Sequence, residues 1–311
     1  FLIMTVAYLF PGQGAQTVGM GKDAYDQNPA ARTIFDSADN ALGFPLSDLC
    51  FNGPEDSLTK TVNTQPAILT ASIAMLEASK SVLESMGYAE PSFVAGHSLG
   101  EYSALVAAQS ISFSDAVQLV RERGRLMQAA GDASEGAMAA VMGMPEEALA
   151  KICADTGVDM ANLNSTDQIV ISGSKEGIEK AQTLAQENGA RRVVALKVSA
   201  AFHSSLMDPA VPGMRTALET AKIDTPKVQV IANVTAKPLT NSEEILDELA
   251  KQIRSPVQWF RTLQYLKSQG VTTYIEIGPG KVLTGLVKRV IGEAETINIS
   301  SMKDLEELAS K

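Results

Sequence analysis

Histidine is scarce in this chain of 311 residues: there are only His97 and His203. Cysteine is as rare, with Cys50 and Cys153 far apart and in no ligand-like spacing. A structural zinc site needs these residue types clustered at short intervals, so that class is excluded. Two isolated cysteines read as free thiols of a reducing cytoplasm rather than as a disulfide framework. Basic charge is also short, 26 Lys and Arg against 36 Asp and Glu, for a net charge of −10. A polyanion is a poor nucleic-acid binder, although a local field can still hold a small anionic substrate. No uninterrupted apolar run approaches the roughly 18 residues that span a bilayer. Residues 1–10 are apolar but lack a basic leader and run into Pro11-Gly12. They are expected to form a strand rather than a signal peptide, with Met4 as the native start.

What is present is core material. Hydrophobic residues make up 45% of the chain, enough for a large domain or a domain carrying an insertion. Strand-like runs at 5–10, 93–95, 228–231 and 273–277 alternate with helical periodicity at 66–86 and 114–130. That alternation predicts an α/β protein with a mainly parallel sheet. Between 133 and 198 the pattern changes. Strands at 136–143, 158–164, 168–172 and 191–198 frame helices at 145–155 and 175–188. The order β-α-β-β-α-β is the split ferredoxin-like pattern. The expected organisation is a large domain of residues 1–132 and 199–311 with a small domain of 133–198 inserted.

The stretch GHSLG at 96–100 follows a strand and opens a helix. A G-x-S-x-G turn lets backbone crowd close on both sides. It also projects the serine oxygen at a helix N-terminus, where free N–H groups favour negative charge. Ser98 is therefore a candidate nucleophile, and the N–H of Leu99 a candidate oxyanion donor. A serine needs a base. His97 adjoins it, but neighbouring side chains on a turn point apart, which favours His203. No spacing identifies an acidic third member. The loop FPGQGAQ at 10–16 offers backbone N–H groups after a strand, without the Lys-Ser/Thr of a P-loop. Arg121, Arg123 and Arg125 share one helix. The first and third lie on one face and Arg123 on another, and the spacing leaves open which face turns inward.

FPGQGAQ, NTQPAI at 63–68, GHSLGEYSAL at 96–105, RERGRLMQ at 121–128, AAFHSSLM at 200–207 and EIGPGKVLTGL at 276–286 occur in that order. With them the chain resembles the malonyl-CoA:acyl carrier protein transacylases, the acyltransferase family of fatty acid and polyketide synthesis. The resemblance implies an α/β-hydrolase-like large domain, a ferredoxin-like small domain and a cleft between them. It implies a ping-pong transfer in which Ser98 takes malonyl from malonyl-CoA and yields it to the phosphopantetheine thiol of acyl carrier protein. It also implies that His203 is the base, that Gln13 and Leu99 supply oxyanion N–H groups, and that Arg123 holds the malonyl carboxylate. The backbone carbonyl of Gln252, favoured over Gln258 by its spacing to SPVQW, would orient the histidine in place of an acid. Phe202 before the histidine, with Leu99 after the serine, is the pattern that accompanies malonyl rather than methylmalonyl in related domains. No cofactor of its own and no metal are implied, and the family is usually monomeric. A carrier protein is acidic, so docking on this anionic chain calls for a local positive patch. Arg191, Arg192, Lys281, Lys288 and Arg289 are candidates. A serine hydrolase is the alternative, because esterases share G-x-S-x-G.

Overall fold

The computed structural model describes residues 5–198 and 200–310, so Met4 and Ser199 lie outside the described residues. In chain order the strands are β1 (Val6–Phe10), β2 (Phe93–Gly96), β3 (Gly136–Met142), β4 (Asp159–Ser165), β5 (Gln168–Ser174), β6 (Arg192–Ala195), β7 (Gln229–Ile231), β8 (Pro238–Leu239), β9 (Thr273–Ile277) and β10 (Glu295–Ile299). They form two sheets. The larger runs β10-β9-β1-β2-β7-β8. Its first five strands are parallel and β8 turns back antiparallel on β7. The smaller sheet is antiparallel in the order β4-β5-β3-β6, with helices Glu146–Thr156 and Lys175–Glu187 inserted after β3 and β5. This is the α/β-hydrolase-like domain with a ferredoxin-like partner that the resemblance implies, and it carries the mainly parallel sheet that the strand–helix alternation predicts.

Alternation along β3 shows how the two parts join. Ala139 and Val141 face the small domain's own helices, packing with Leu149, Ile152, Ile171, Ile178 and Ala181. Met138 and Ala140 face the other way and enter the main core together with Val170, Phe202 and Met127. The small sheet thus shares one of its faces with the large domain. Backbone bonds cross the same seam, from Val257 N–H to the Ala161 carbonyl and from Leu163 N–H to the Val257 carbonyl, 2.8 and 2.9 Å.

The central helix is Thr61–Ser85, and it starts five residues before the expected position. Proline at the first turn of a helix is the common case, which is why Pro66 reads as a start. Here Pro66 sits inside the helix, where it cannot bond the Val62 carbonyl. Arg121 takes that carbonyl instead, donating from Nη1 at 2.8 Å. By length and composition this helix could cross a membrane, but 78% of its apolar window is buried inside the protein. The expected helix at 114–130 extends over Phe113–Ala133, and β6 ends at Ala195 rather than 198.

The ends of β1 and β2 are locked together by glycine. A Cβ on Gly96 would stand 1.9 Å from the Gly100 carbonyl, and one on Gly100 would stand 2.1 Å from the Phe10 carbonyl. Both distances are shorter than any real contact, so the turn at 96–100 can seat against β1 only with glycine at these positions. Gly96→Ala should lower stability by at least about 1–3 kcal/mol, the usual cost of forcing atoms into a filled site. The control is Gly285→Ala on the open side of helix Val282–Ile291, where nothing lies within 4 Å of the added carbon. That change should be neutral or stabilising by up to about 1 kcal/mol. Urea midpoints of the two variants check the contrast.

Candidate active site

Ser98 follows β2 with φ of 53°, a conformation that non-glycine residues rarely adopt. Its backbone is clamped on both sides. Asn233 Oδ1 accepts from Ser98 N–H at 2.7 Å, and Asn233 Nδ2 donates to the Gly96 carbonyl at 2.7 Å. The helix Gly100–Ala107 begins immediately after, so the serine oxygen lies at its N-terminal end.

His203 has φ of 55° and comes from the opposite side of the chain's path, 105 residues later. Its Nε2 lies 2.7 Å from Ser98 Oγ. Its Nδ1 faces two backbone carbonyls, Gln252 at 2.8 Å and Ser255 at 3.1 Å. A carbonyl only accepts, so Nδ1 carries the ring proton and Nε2 is left free to accept from the serine. No carboxylate among the described residues touches the imidazole.

Arg123 settles the question of the helix face. It is 1% exposed and points inward, while Arg125 is exposed and paired with Glu122. Arg121, partly buried, serves the Val62 carbonyl and Asn63 and covers the Phe44 ring. Arg123 donates to Gln65 Oε1 at 2.8 Å and to Gln252 Oε1 at 2.7 Å, and its Nη2 stands 3.3 Å from Ser98 Oγ. All three are neutral oxygens, and its Nε has no partner. A buried guanidinium with an idle donor and no carboxylate bonded to it is suited to an incoming carboxylate, which it can grip with two parallel bonds.

The remaining residues singled out in the sequence converge on the same place, with one exception. A Cβ on Gly12 would meet the His97 carbonyl at 2.3 Å, so the loop bearing Gln13 packs directly on the Ser98 turn. The Gln13 and Leu99 N–H groups both lack a protein acceptor among the described residues. Phe202 is buried beside His203 in the main core. His97 stands apart. Its Nε2 pairs with Asn164 Oδ1 at 2.8 Å and its ring lies beside Trp259, so it links β2 to the small sheet. Cys50 and Cys153 are buried, and burial pushes both thiols up to about 12, which leaves them inert near neutral pH.

The acyl transferase domain family matches residues 7–305. The chain belongs to that family. Among curated relatives, a malonyl CoA-acyl carrier protein transacylase of Bacillus subtilis is 49% identical over 306 residues, 97% of this chain and 95% of the relative. One of Escherichia coli strain K12 is 42% identical over 308 residues, 98% of this chain and 97% of the relative. Among solved structures, an acyl-carrier-protein-S-malonyltransferase from Bartonella henselae superposes with a TM-score of 0.92 at 42% identity, covering 98% of both chains. A malonyl-transacylase solved in complex with a type II polyketide synthase acyl-carrier protein gives 0.92 at 38% identity, covering 98% of this chain and 99% of that one.

Two residues of this acyl transferase's site escaped the sequence reading. Asn233 is a single polar residue just after β7, with no periodicity to mark it. Glu101 lies inside the serine motif, but its burial at 0% exposure is not visible there. Electrostatics ties the rest together. Burial, and next the Arg123 charge, push His203 down to about 3, against the opposing pull of the Gln252 and Ser255 carbonyls. A depressed histidine is neutral in the fold at a pH where the free imidazole, near 6.5, would begin to protonate. In NMR titration His203 should therefore remain neutral to below pH 5, and its midpoint should rise in Arg123→Ala. A wild-type midpoint near 6.5 would contradict this electrostatic account.

Proposed function

We propose that this acyl transferase moves malonyl from malonyl-CoA to the phosphopantetheine thiol of acyl carrier protein through a malonyl ester on Ser98. One observation carries the reading: a nucleophile, a base and a buried cation meet on one oxygen. His203 Nε2 lies 2.7 Å and Arg123 Nη2 3.3 Å from Ser98 Oγ. The relatives named as malonyl transacylases support the choice of acyl group.

In the first half-reaction Ser98 Oγ attacks the thioester carbonyl and passes its proton to His203 Nε2. The oxygen of the tetrahedral intermediate takes the N–H groups of Gln13 and Leu99. Collapse breaks the carbon–sulfur bond, and His203 returns the proton to the leaving coenzyme A thiolate. In the second half-reaction the carrier thiol gives its proton to His203 and attacks the ester, and Ser98 leaves reprotonated. Arg123 holds the malonyl carboxylate throughout, and Phe202 beside the histidine crowds a methyl branch on the acyl group. The reading needs no cofactor held by the enzyme, and it takes the enzyme as a cytoplasmic monomer. A serine esterase fits less well, since a buried cation beside the nucleophile favours an acyl group with its own carboxylate.

Intact-mass measurement after mixing with malonyl-CoA or acetyl-CoA tests this. Wild type should gain a malonyl adduct that is discharged by holo carrier protein, and Ser98→Ala should gain none. Arg123→Ala should lose malonyl transfer by on the order of 2–5 kcal/mol, as when one partner of a buried charge pair is truncated, and acetyl transfer far less. Release of free malonate in place of carrier loading would favour the esterase.

Carrier docking can be placed on the same reading. A groove of about 400 Å³ runs between the small sheet and helix Val282–Ile291, lined by Arg191, Arg192, Arg289 and the 62%-exposed Val282. Lys281 and Lys288 are exposed on the same helix and its approach. Asp167 already pairs with Arg191, leaving Arg192 and Arg289 as the freer charges. Charge reversal at Arg192, Lys288 and Arg289 should raise KM for carrier protein at low salt and change Ser98 acylation little. The effect should fade as salt screens exposed charges beyond ~8–10 Å. An unchanged carrier KM at low salt would move the docking surface elsewhere.

A further inference from the structure

Behind the reacting groups lies a pair of buried carboxyls that the transfer mechanism leaves idle. Glu101 is 0% exposed and Glu248 5%. Glu101 Oε1 accepts from Asn233 N–H at 3.0 Å, and its Oε2 from Gln252 Nε2 at 2.5 Å. Glu248 accepts from the next backbone N–H, that of Val234, at 2.8 Å. Burial and the neighbouring carboxyl raise Glu101, and burial raises Glu248 to about 7. The Arg123 charge pulls Glu101 the other way, toward ionisation.

Gln252 stands between Glu101 and Arg123, and its amide could be placed either way round. Its partners remove the choice. The guanidinium can only donate, so the amide oxygen must face Arg123, at 2.7 Å. The amide nitrogen must then face acceptors, and it has two, Glu101 Oε2 and the Ser98 carbonyl at 2.9 Å. The backbone carbonyl of this same residue holds His203 Nδ1 at 2.8 Å. One residue therefore joins the base, the cation and the serine turn, and Glu101 holds its amide nitrogen from behind.

We infer that Glu101 is a positioning residue for acyl transfer: through the Gln252 amide it aims Arg123. The inference rests on the reading that Ser98 is acylated and that Arg123 holds the acyl carboxylate. Glutamine at position 101 has one acceptor oxygen where the carboxylate has two, so with Asn233 N–H on that oxygen its NH2 meets the NH2 of Gln252, donor against donor. That repulsion pushes the Gln252 side chain away from position 101 and shifts the oxygen on which Arg123 rests. A carboxylate that merely filled the core would, when neutralised, weaken the fold and slow both acyl groups alike.

The experiment measures Ser98 acylation by malonyl-CoA and by acetyl-CoA on the full chain. Glu101→Gln should lose at least about tenfold more kcat/KM for malonyl than for acetyl, the scale of one buried polar group left unpaired. Gln252→Met keeps the backbone carbonyl and most of the volume, and should show the same selective loss. The double variant should be no worse than Gln252→Met alone, because the two changes break one link. Equal losses for the two acyl groups, or losses that multiply in the double variant, would overturn the inference. Should Glu101→Gln not fold, Glu101→Asp, which keeps the carboxyl but withdraws it by one methylene, replaces it in the same cycle. A wild-type enzyme that takes no malonyl at all would refute the proposed function and not this assignment in particular.

Discussion

The site is organised around one buried cation. A guanidinium at 1% exposure with no carboxylate bonded to it is costly, because a charge removed from water keeps its desolvation penalty until something compensates it. Two glutamine oxygens offset part of that penalty, from Gln65 on the central helix and from Gln252 at the end of helix Ser242–Gln252. The remaining Nε is left idle. Its consequences reach the neighbouring groups. The charge helps hold His203 neutral and draws Glu101 toward ionisation through the low-dielectric interior. A site already carrying an unpaired positive charge is electrostatically prepared for a negative one, with no reorganisation needed at the moment of binding.

Backbone strain accompanies this arrangement. Ser98 and His203 both sit at positive φ, near 53° and 55°, where a side chain costs about 1–3 kcal/mol. The surroundings hold each of them there. Asn233 grips the turn at Ser98, and His203 N–H bonds the Ile253 carbonyl at 3.1 Å. Glycines 12, 96 and 100 admit the close backbone contact that puts the β1 loop against the serine. The small sheet closes the assembly by sharing the main core through Met138, Ala140 and Val170, and through the His97 to Asn164 bond. The two domains therefore meet across packed, apolar surface rather than across a linker.

Much was legible from the sequence because it depends on local chemistry. Period-two and helical patterns located β9 to the residue and the ferredoxin-like order of the small domain. The glycine-flanked serine, and the lack of any histidine but two, left a short choice of nucleophile and base. The ordered motifs pointed to the acyl transferase family. Tertiary packing decided what local pattern leaves open. Three arginines on one helix look alike in sequence, and only the fold buries Arg123, assigns Arg121 to the carbonyl that Pro66 cannot bond, and leaves Arg125 in solvent. Pro66 marked a helix start by propensity, yet the helix extends past it because a side chain 55 positions away replaces the missing bond. Glu101, Asn233 and the Gln252 amide carry no signature in the chain, since their role lies in which atoms face one another across 129 residues or more. Hydrogen-bond direction between distant groups is a property of the folded interior, and no spacing along the chain encodes it.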